Sequence, residues 1–227
     1  MKKKTNFVAI ILARGGSKGI KLKNLFKINK KPLIYWTIKH CLGSKKISSV
    51  WVSSDSKKIL NYSYKVGAQI IKRPRLFSQD TASSESAWLH AIKYLKRKKI
   101  HIDNVVGLQP TSPMRKKDDL DKAIHLFIKN KYDSLFTVQK IYSYFTWSKI
   151  KNKLTSDYAH KFRKRRQEIK PKYLENGSFY IFKKNGFIKN KNRLFGKLGV
   201  YVMSKIHSFE IDDYDDIEII KSLKRYF

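Results

Sequence analysis

Between Phe7 and Lys140 short apolar runs alternate with amphipathic stretches, and this alternation constrains the fold more than any other feature of the chain. FVAIILA (7–13), SSVWVSSD (48–55), AQIIKRP (68–74), NVVGLQP (104–110) and SLFTVQK (134–140) read as strands. The stretches between them read as helices: 31–44, 56–67, 84–99 and 118–131. Pro32 suits a first turn, and Gly43 and Gly67 suit helix ends. Trp88, Leu89, Ile92 and Leu95 fall on one face of the third helix. Strand–helix alternation of this kind predicts the α/β class, as a doubly wound, mostly parallel sheet. Right-handed crossovers gather the strand-end loops along one edge, so the loops after Ala13, Asp55, Lys72 and Leu108 are where a ligand is expected.

After Lys140 the pattern changes. Residues 141–173 are aromatic and basic with no sustained helical period, which predicts a projecting arm at about 140–173 on a single domain spanning 1–227. GSFYIF (177–182) and LGVYVMS (198–204) read as strands, and 215–227 as a closing helix.

The opening Lys-Lys-Lys followed by an apolar run resembles a leader, but the run has seven residues, ends in Arg14 and lacks a small-x-small cleavage site. It falls far below the roughly 20 residues that span a bilayer. No membrane association is expected. The single cysteine, Cys41, fits a reducing cytoplasm and reads as a small core residue. The 51 basic against 17 acidic residues give a net charge of +34, which raises the question of nucleic acid. The lysines are scattered rather than striped, and the excess of lysine over arginine together with Ile and Asn matches an A+T-rich coding bias. Most of the charge reads as solvated surface, with no specific nucleic-acid partner, though it favours anionic ligands.

The sharpest motif is ILARGGSKGIKLKNL, Ile11 to Leu25. It is neither a Walker A loop nor the G-x-G-x-x-G fingerprint. Adjacent glycines still let backbone N–H groups approach an anion, and Arg14, Lys18 and Lys23 complement phosphate charge. The alternative is a Gly-Gly turn with incidental lysines. Late in the chain, Glu210, Asp212, Asp213, Asp215 and Asp216 form the densest acidic cluster. Asp215 and Asp216 suit a helix N-terminus. Glu210 and Asp212, two apart in an extended segment, point to one side.

Taken in order, ILARGGSKGIKLKNL, RPRLFSQDTASS, LQPTSPMR, RRQEIKPKYLENGSFYIF and FEIDDYDD resemble the CMP-sialic acid synthetases, the acylneuraminate cytidylyltransferases, from about Phe7 to the C-terminal helix. The CMP-Kdo synthetases share the opening loop but match the later blocks less well. The resemblance implies a Rossmann-like fold of the nucleotide-diphospho-sugar transferase type. It also implies a Mg²⁺-dependent cytidylyltransferase that activates a nine-carbon α-keto acid sugar, N-acetylneuraminate or a related nonulosonate, with CTP. The products are the CMP-sugar and pyrophosphate.

On the positions that match, Arg14, Lys18 and Lys23 are implied phosphate contacts. Ala13, Gly15, Gly16, Ser17 and Asn24 complete the nucleotide loop, and Arg73, Ala82 and Ser84 border the cytosine. Gln109, Thr111 and Ser112 are implied toward the sugar, and Asn176 either toward the sugar or as a turn residue. Arg166 and Gln167 are implied toward the sugar carboxylate or a neighbouring subunit. Arg14, Lys23 and Asp212 are the implied catalytic residues. Asp212 is the implied metal ligand, with Glu210 beside it. The family commonly has Asp-x-Asp here, so Glu210 departs by one methylene, which makes a water-mediated contact plausible. The family often has proline at Lys21, which reads as solvent-facing. A homodimer built through the arm, with Tyr142, Tyr144, Phe145 and Trp147 buried against the partner, is also implied. The alternatives are a related sugar nucleotidyltransferase (CMP-Kdo synthetase-like or GTP-using) and a basic nucleic-acid-binding protein.

Overall fold

The computed structural model describes residues 5–16, 19–142 and 145–226. Ser17, Lys18 and Tyr144, named above, lie outside the described residues. The main sheet has seven strands: β1 (Phe7–Leu12), β4 (Ile47–Ser54), β5 (Gln69–Lys72), β6 (Asn104–Leu108), β7 (Ser134–Ile141), β10 (Lys172–Lys183) and β11 (Leu198–Met203). Their order is β11-β7-β10-β6-β1-β4-β5. β1 runs parallel to β4 and β6, β4 to β5, and β11 to β7. β10 alone runs antiparallel to its neighbours β6 and β7, so the sheet is mixed. Two short hairpins complete the strands: β2 (Lys27–Ile28) with β3 (Lys31–Pro32), and β8 (Trp147–Ile150) with β9 (Lys153–Ser156).

The alternation of side chains along β1 shows why it lies at the centre. Phe7, Ala9 and Ile11 enter one buried cluster, with Ile34, Ile38 and Cys41 of α1 (Leu33–Leu42), Ile59 of α2 (Lys57–Lys65) and Ile124 of α4 (Asp119–Lys129). Val8 and Ile10 enter the opposite one, with Trp88, Ala91, Ile92 and Leu95 of α3 (Ser84–Arg97) and Phe187 of α5 (Lys184–Asn190). A strand apolar on both faces belongs inside a sheet covered on both sides. Cys41 is buried, and burial pushes its thiol up to about 12, which fits its reading as a core residue.

Local signals account for the helix starts. Ser56 caps α2 by accepting from Ile59 N–H, and Ser83 caps α3 by accepting from Ser86 N–H. The closing helix is shorter than the pattern predicted. α6 covers Tyr214–Ser222 and is followed by a 3₁₀ turn at Lys224–Tyr226. It packs Ile217 and Ile220 against Ile20, Ile28, Leu33 and Met114, a third cluster that clamps the C-terminal segment to the loop after β1.

The segment read as irregular contains the β8–β9 hairpin and two 3₁₀ turns, His160–Phe162 and Arg166–Glu168. β8 and β9 are exposed at seven of their eight positions, so no apolar period marks them in the sequence.

Candidate active site

Strand-end loops at the carboxyl edge of β1, β5 and β6 meet the segment carrying Asp212 around a cleft of about 350 Å³, and the loop after β4 reaches only an adjoining recess, through Asp55. The cleft's position beside β1, where the chain crosses from one side of the sheet to the other, is where such sheets bind ligands. Ala13 N–H continues the ladder to Ser53 O (3.0 Å), and Gly15 N–H then bonds Asp55 Oδ1 at 2.8 Å. A Cβ on Gly15 would come within 2.9 Å of Ser56 Cβ, so this close approach of loop to β4 requires glycine. Asn24 closes the loop by donating its side-chain amide to Arg14 O at 2.8 Å.

Arg14 and Lys23 both line the cleft, and each is held by a carboxylate. Arg14 pairs with Asp80 at 2.5 Å. Lys23 Nζ lies 3.0 Å from Asp212 Oδ1 and 3.0 Å from Ile211 O. The lysine side chain is only 14% exposed, whereas Asp212 is 70% exposed. The loop also bears directly on the acidic segment, because a Cβ on Gly19 would sit 2.8 Å from Asp212 O.

Arg73, at the end of β5, is buried in the cleft wall, and burial lowers its pKa. Its Nε finds no hydrogen-bond partner among the described residues. Ala82 and Ser84, at the start of α3, complete that wall. On the other side Gln109 and Thr111 leave β6. Thr111 Oγ1 donates to Glu210 Oε1 at 2.7 Å, and Ile211 N–H donates to Thr111 O at 2.9 Å. Burial raises the Glu210 carboxyl above the ordinary glutamate range; the Thr111 hydrogen bond opposes this, and the Asp212 charge adds to it.

A family model described as Cytidylyltransferase matches residues 8–227. The chain belongs to the cytidylyltransferase family. This cytidylyltransferase-family chain is 35% identical over 216 residues to N-acylneuraminate cytidylyltransferase A of Danio rerio, covering 93% of the chain and 49% of that protein. It thus spans about half the length of that relative. It is 30% identical to the pseudaminic acid cytidylyltransferase of Campylobacter jejuni subsp. jejuni, covering 95% of each. Among solved structures, CMP:2-keto-3-deoxy-manno-octonic acid synthetase complexed with CTP shares the fold, with a TM-score of 0.73 at 14% identity over 97% of this chain and 99% of that one.

Measured against the expectations from sequence, the cleft gathers Arg14, Lys23, Asn24, Arg73, Ala82, Ser84, Gln109, Thr111 and Asp212. Gly16 lines an adjoining recess that shares Arg14 and Asp80 with the cleft. Lys21 is exposed, as its departure from proline suggested. Asn176 is buried beside the cleft rather than in its wall: it donates to Ser208 Oγ at 2.9 Å and accepts from Ser178 N–H at 3.2 Å. It sits where the β10–β7 register shifts, and Gly177, at φ +62°, packs next to Glu210 there. Ser112 is fully buried and its Oγ has no hydrogen-bond partner among the described residues. Arg166 and Gln167 lie exposed on the arm and do not line the cleft of their own chain; the Arg166 guanidinium stands over the Tyr142 ring at 5.8 Å.

Asp216, assigned from sequence to a helix start, forms a capping box with Asp213 and accepts from Asp212 N–H at 2.7 Å. Sequence reasoning did not single out Asp55, Asp80 or Arg115. The first two ended a strand or sat in a polar run, and nothing local marks Arg115 as buried.

Arg115 shapes one pH response. His40 on α1 is held down to about 3, by burial first and by the Arg115 charge second. A histidine depressed in the fold takes up its proton on unfolding, so stability is flat above the ordinary histidine range and falls with pH from there to about 3. The expected slope is up to about 1.4 kcal/mol per pH unit. Denaturant titrations across that window should show His40→Gln with a shallower acid loss than the parent; parallel curves would exclude His40 as the source.

Proposed function

We propose that this chain transfers CMP from CTP to a nonulosonic acid sugar, releasing pyrophosphate. The observation that carries the reading is the cleft itself: residues from separate sequence blocks, Arg14, Lys23, Arg73, Gln109, Thr111 and Asp212, face one cavity at the carboxyl edge of the sheet. The names of its relatives, an N-acylneuraminate and a pseudaminic acid cytidylyltransferase, support the same substrate class. The anomeric hydroxyl attacks the α-phosphorus, the new P–O bond forms as the bond to pyrophosphate breaks, and negative charge builds on the phosphoryl and leaving oxygens. In this reading Arg14 and Lys23 meet that charge, each exchanging its carboxylate partner for phosphate, and their lining of the one cleft supports it. The buried Arg73 and the backbone at the start of α3 supply donors and acceptors for a pyrimidine edge.

Glu210 and Asp212 are the carboxylates suited to Mg²⁺. A hard divalent cation of this kind is held by one or two carboxylates together with substrate phosphate and water, and a pair of carboxylates two residues apart would supply the protein's share. When bound, Mg²⁺ would neutralise charge on the triphosphate. Asp212 is the more open of the two, since Glu210 Oε1 is already bonded to Thr111.

The test is pyrophosphate release across the four nucleoside triphosphates and several sugar acids. Turnover confined to CTP and a nonulosonate supports the reading, whereas turnover with a Kdo-type acid or with GTP transfers it to a related nucleotidyltransferase. No helix among the described residues is long and apolar enough to cross a membrane, and a cytoplasmic enzyme accords with that.

We propose further that the chain is a homodimer assembled through the arm. Trp147, Ile150, Leu154, Phe162 and Tyr173 are exposed there, Phe162 to 81%. Phe145 and Tyr158 pack together at 4.6 Å between ring centroids and help enclose an apolar recess of about 190 Å³. Light scattering at micromolar concentration should give the dimer mass, and Trp147→Ser with Phe162→Ser should shift it to the monomer. A stable, fully active monomer of the parent chain contradicts this assembly.

A further inference from the structure

We infer that Arg115 is a positioning residue that fixes the Gln109–Thr111 edge of the cleft against β10 and α1. Arg115 is 2% exposed and does not line the cleft. The guanidinium divides its donors among three elements. One terminal nitrogen donates to Thr37 Oγ1 of α1 at 2.9 Å, and the other to Gln109 O at 2.9 Å and Ser178 O of β10 at 2.5 Å. All three acceptors are neutral. Asp119 and Glu210 act on the charge through space, and no carboxylate among the described residues makes an ion pair with it. Its Nε has no hydrogen-bond partner among the described residues.

A buried cation met only by neutral oxygens is a poor device for stability, because its desolvation is incompletely repaid. What this one supplies is geometry. One terminal nitrogen ties the Gln109 and Ser178 carbonyls while the other holds Thr37 of α1, and the planar fork fixes these three acceptors relative to one another in a way that a freely rotating ammonium does not. Gln109 belongs to the cleft's sugar-facing side under the reading proposed above, on which the kinetic part of the inference rests, and Ser178 is fully buried outside the cleft wall. Gln109 begins the turn after β6, and Ser178 sits in the irregular stretch of β10 next to Gly177 and Glu210. From Gln109 the constraint passes to Thr111, which holds Glu210 by its hydroxyl and Ile211 by its carbonyl. One side chain outside the cleft thereby sets the placement of a polar turn and an acidic segment inside it.

The experiment compares Arg115→Met and Arg115→Lys with the parent full-length chain by amide hydrogen exchange and by steady-state kinetics, with CTP and sugar acid varied separately. In Arg115→Met, exchange should quicken roughly tenfold or more at residues 109–112 and 210–212, the scale of losing a charged hydrogen bond, and stay unchanged in β1 and β4. The KM for the sugar acid should rise roughly tenfold, with the KM for CTP within about twofold, and Arg115→Lys should recover part of both effects. A uniform rise in exchange, or a lower Tm with both KM values unchanged, overturns the inference and leaves Arg115 as a packing residue. If Arg115→Met does not fold, Arg115→Lys decides by the same readouts. Should the parent turn over no sugar acid, the proposed function falls, and exchange confined to the two segments still decides the role of Arg115.

Discussion

Asp212→Asn should lower turnover by roughly 100-fold or more and weaken the apparent affinity for Mg²⁺, whereas Asp216→Asn should change both by less than about threefold. The two carboxylates lie four residues apart and do different work. Asp212 faces the cleft and is largely exposed, with Lys23 as its partner. Asp216 faces its own backbone, accepting from Asp212 and Asp213 N–H at 2.7 and 3.1 Å, and an asparagine oxygen can accept the same bonds. Asp212→Asn keeps shape and removes the negative charge that a divalent ion needs. Titration of Mn²⁺ binding by electron paramagnetic resonance, with CTP present, separates loss of ion from loss of fold. Equal behaviour of the two variants would make the whole cluster a helix cap and send the metal site elsewhere.

The second large effect is expected at the loop. Lys23→Ala and Arg14→Ala should each reduce kcat by roughly 100-fold or more, the scale for one preorganised group that meets developing charge. The structure adds a distinction between them. Lys23 is nearly buried and held at two points, so its ammonium is already fixed when substrate arrives. Arg14 is more exposed and is held by the side chain of Asp80, so its loss should appear partly as weaker CTP binding. Single-turnover measurements at saturating CTP distinguish the two contributions. Near-parental turnover in both variants would remove this loop from the chemistry.

Much of this was legible in the chain because it is local. The five main-sheet strands up to β7 and the helices between them follow from period, caps and turn residues, whereas the two-residue strands β2 and β3 are too short to show a period; the loop after β1 announces itself by adjacent glycines and basic residues. Asp216 was readable as a cap because capping is a matter of three neighbouring residues. What was not legible depends on contacts distant in sequence. Nothing near Arg115 shows that Thr37, Gln109 and Ser178 will converge on it, and nothing near Asp80 shows that Arg14 will meet it. The alternation also gave no sign that β10 would enter between β6 and β7 in the reverse direction, since that placement is decided by the sheet and not by the strand.

That reversed insertion has a consequence for how the chain is made. β6 and β7 are consecutive main-sheet strands joined through α4, yet they never pair, because the space between them is kept for a strand that comes 31 residues after the end of β7 (172 less 141). Until synthesis has passed Lys183, β6 is an open border of the growing sheet, buried at all five positions in the finished fold and carrying Val105, Val106 and Leu108, the kind of border that invites pairing with another chain. Closure then needs β10 to find two non-neighbouring strands at once, a long-range step that slows folding relative to a simply wound sheet. The window of aggregation risk therefore opens once the first four parallel strands can form and closes when the arm has delivered its strand.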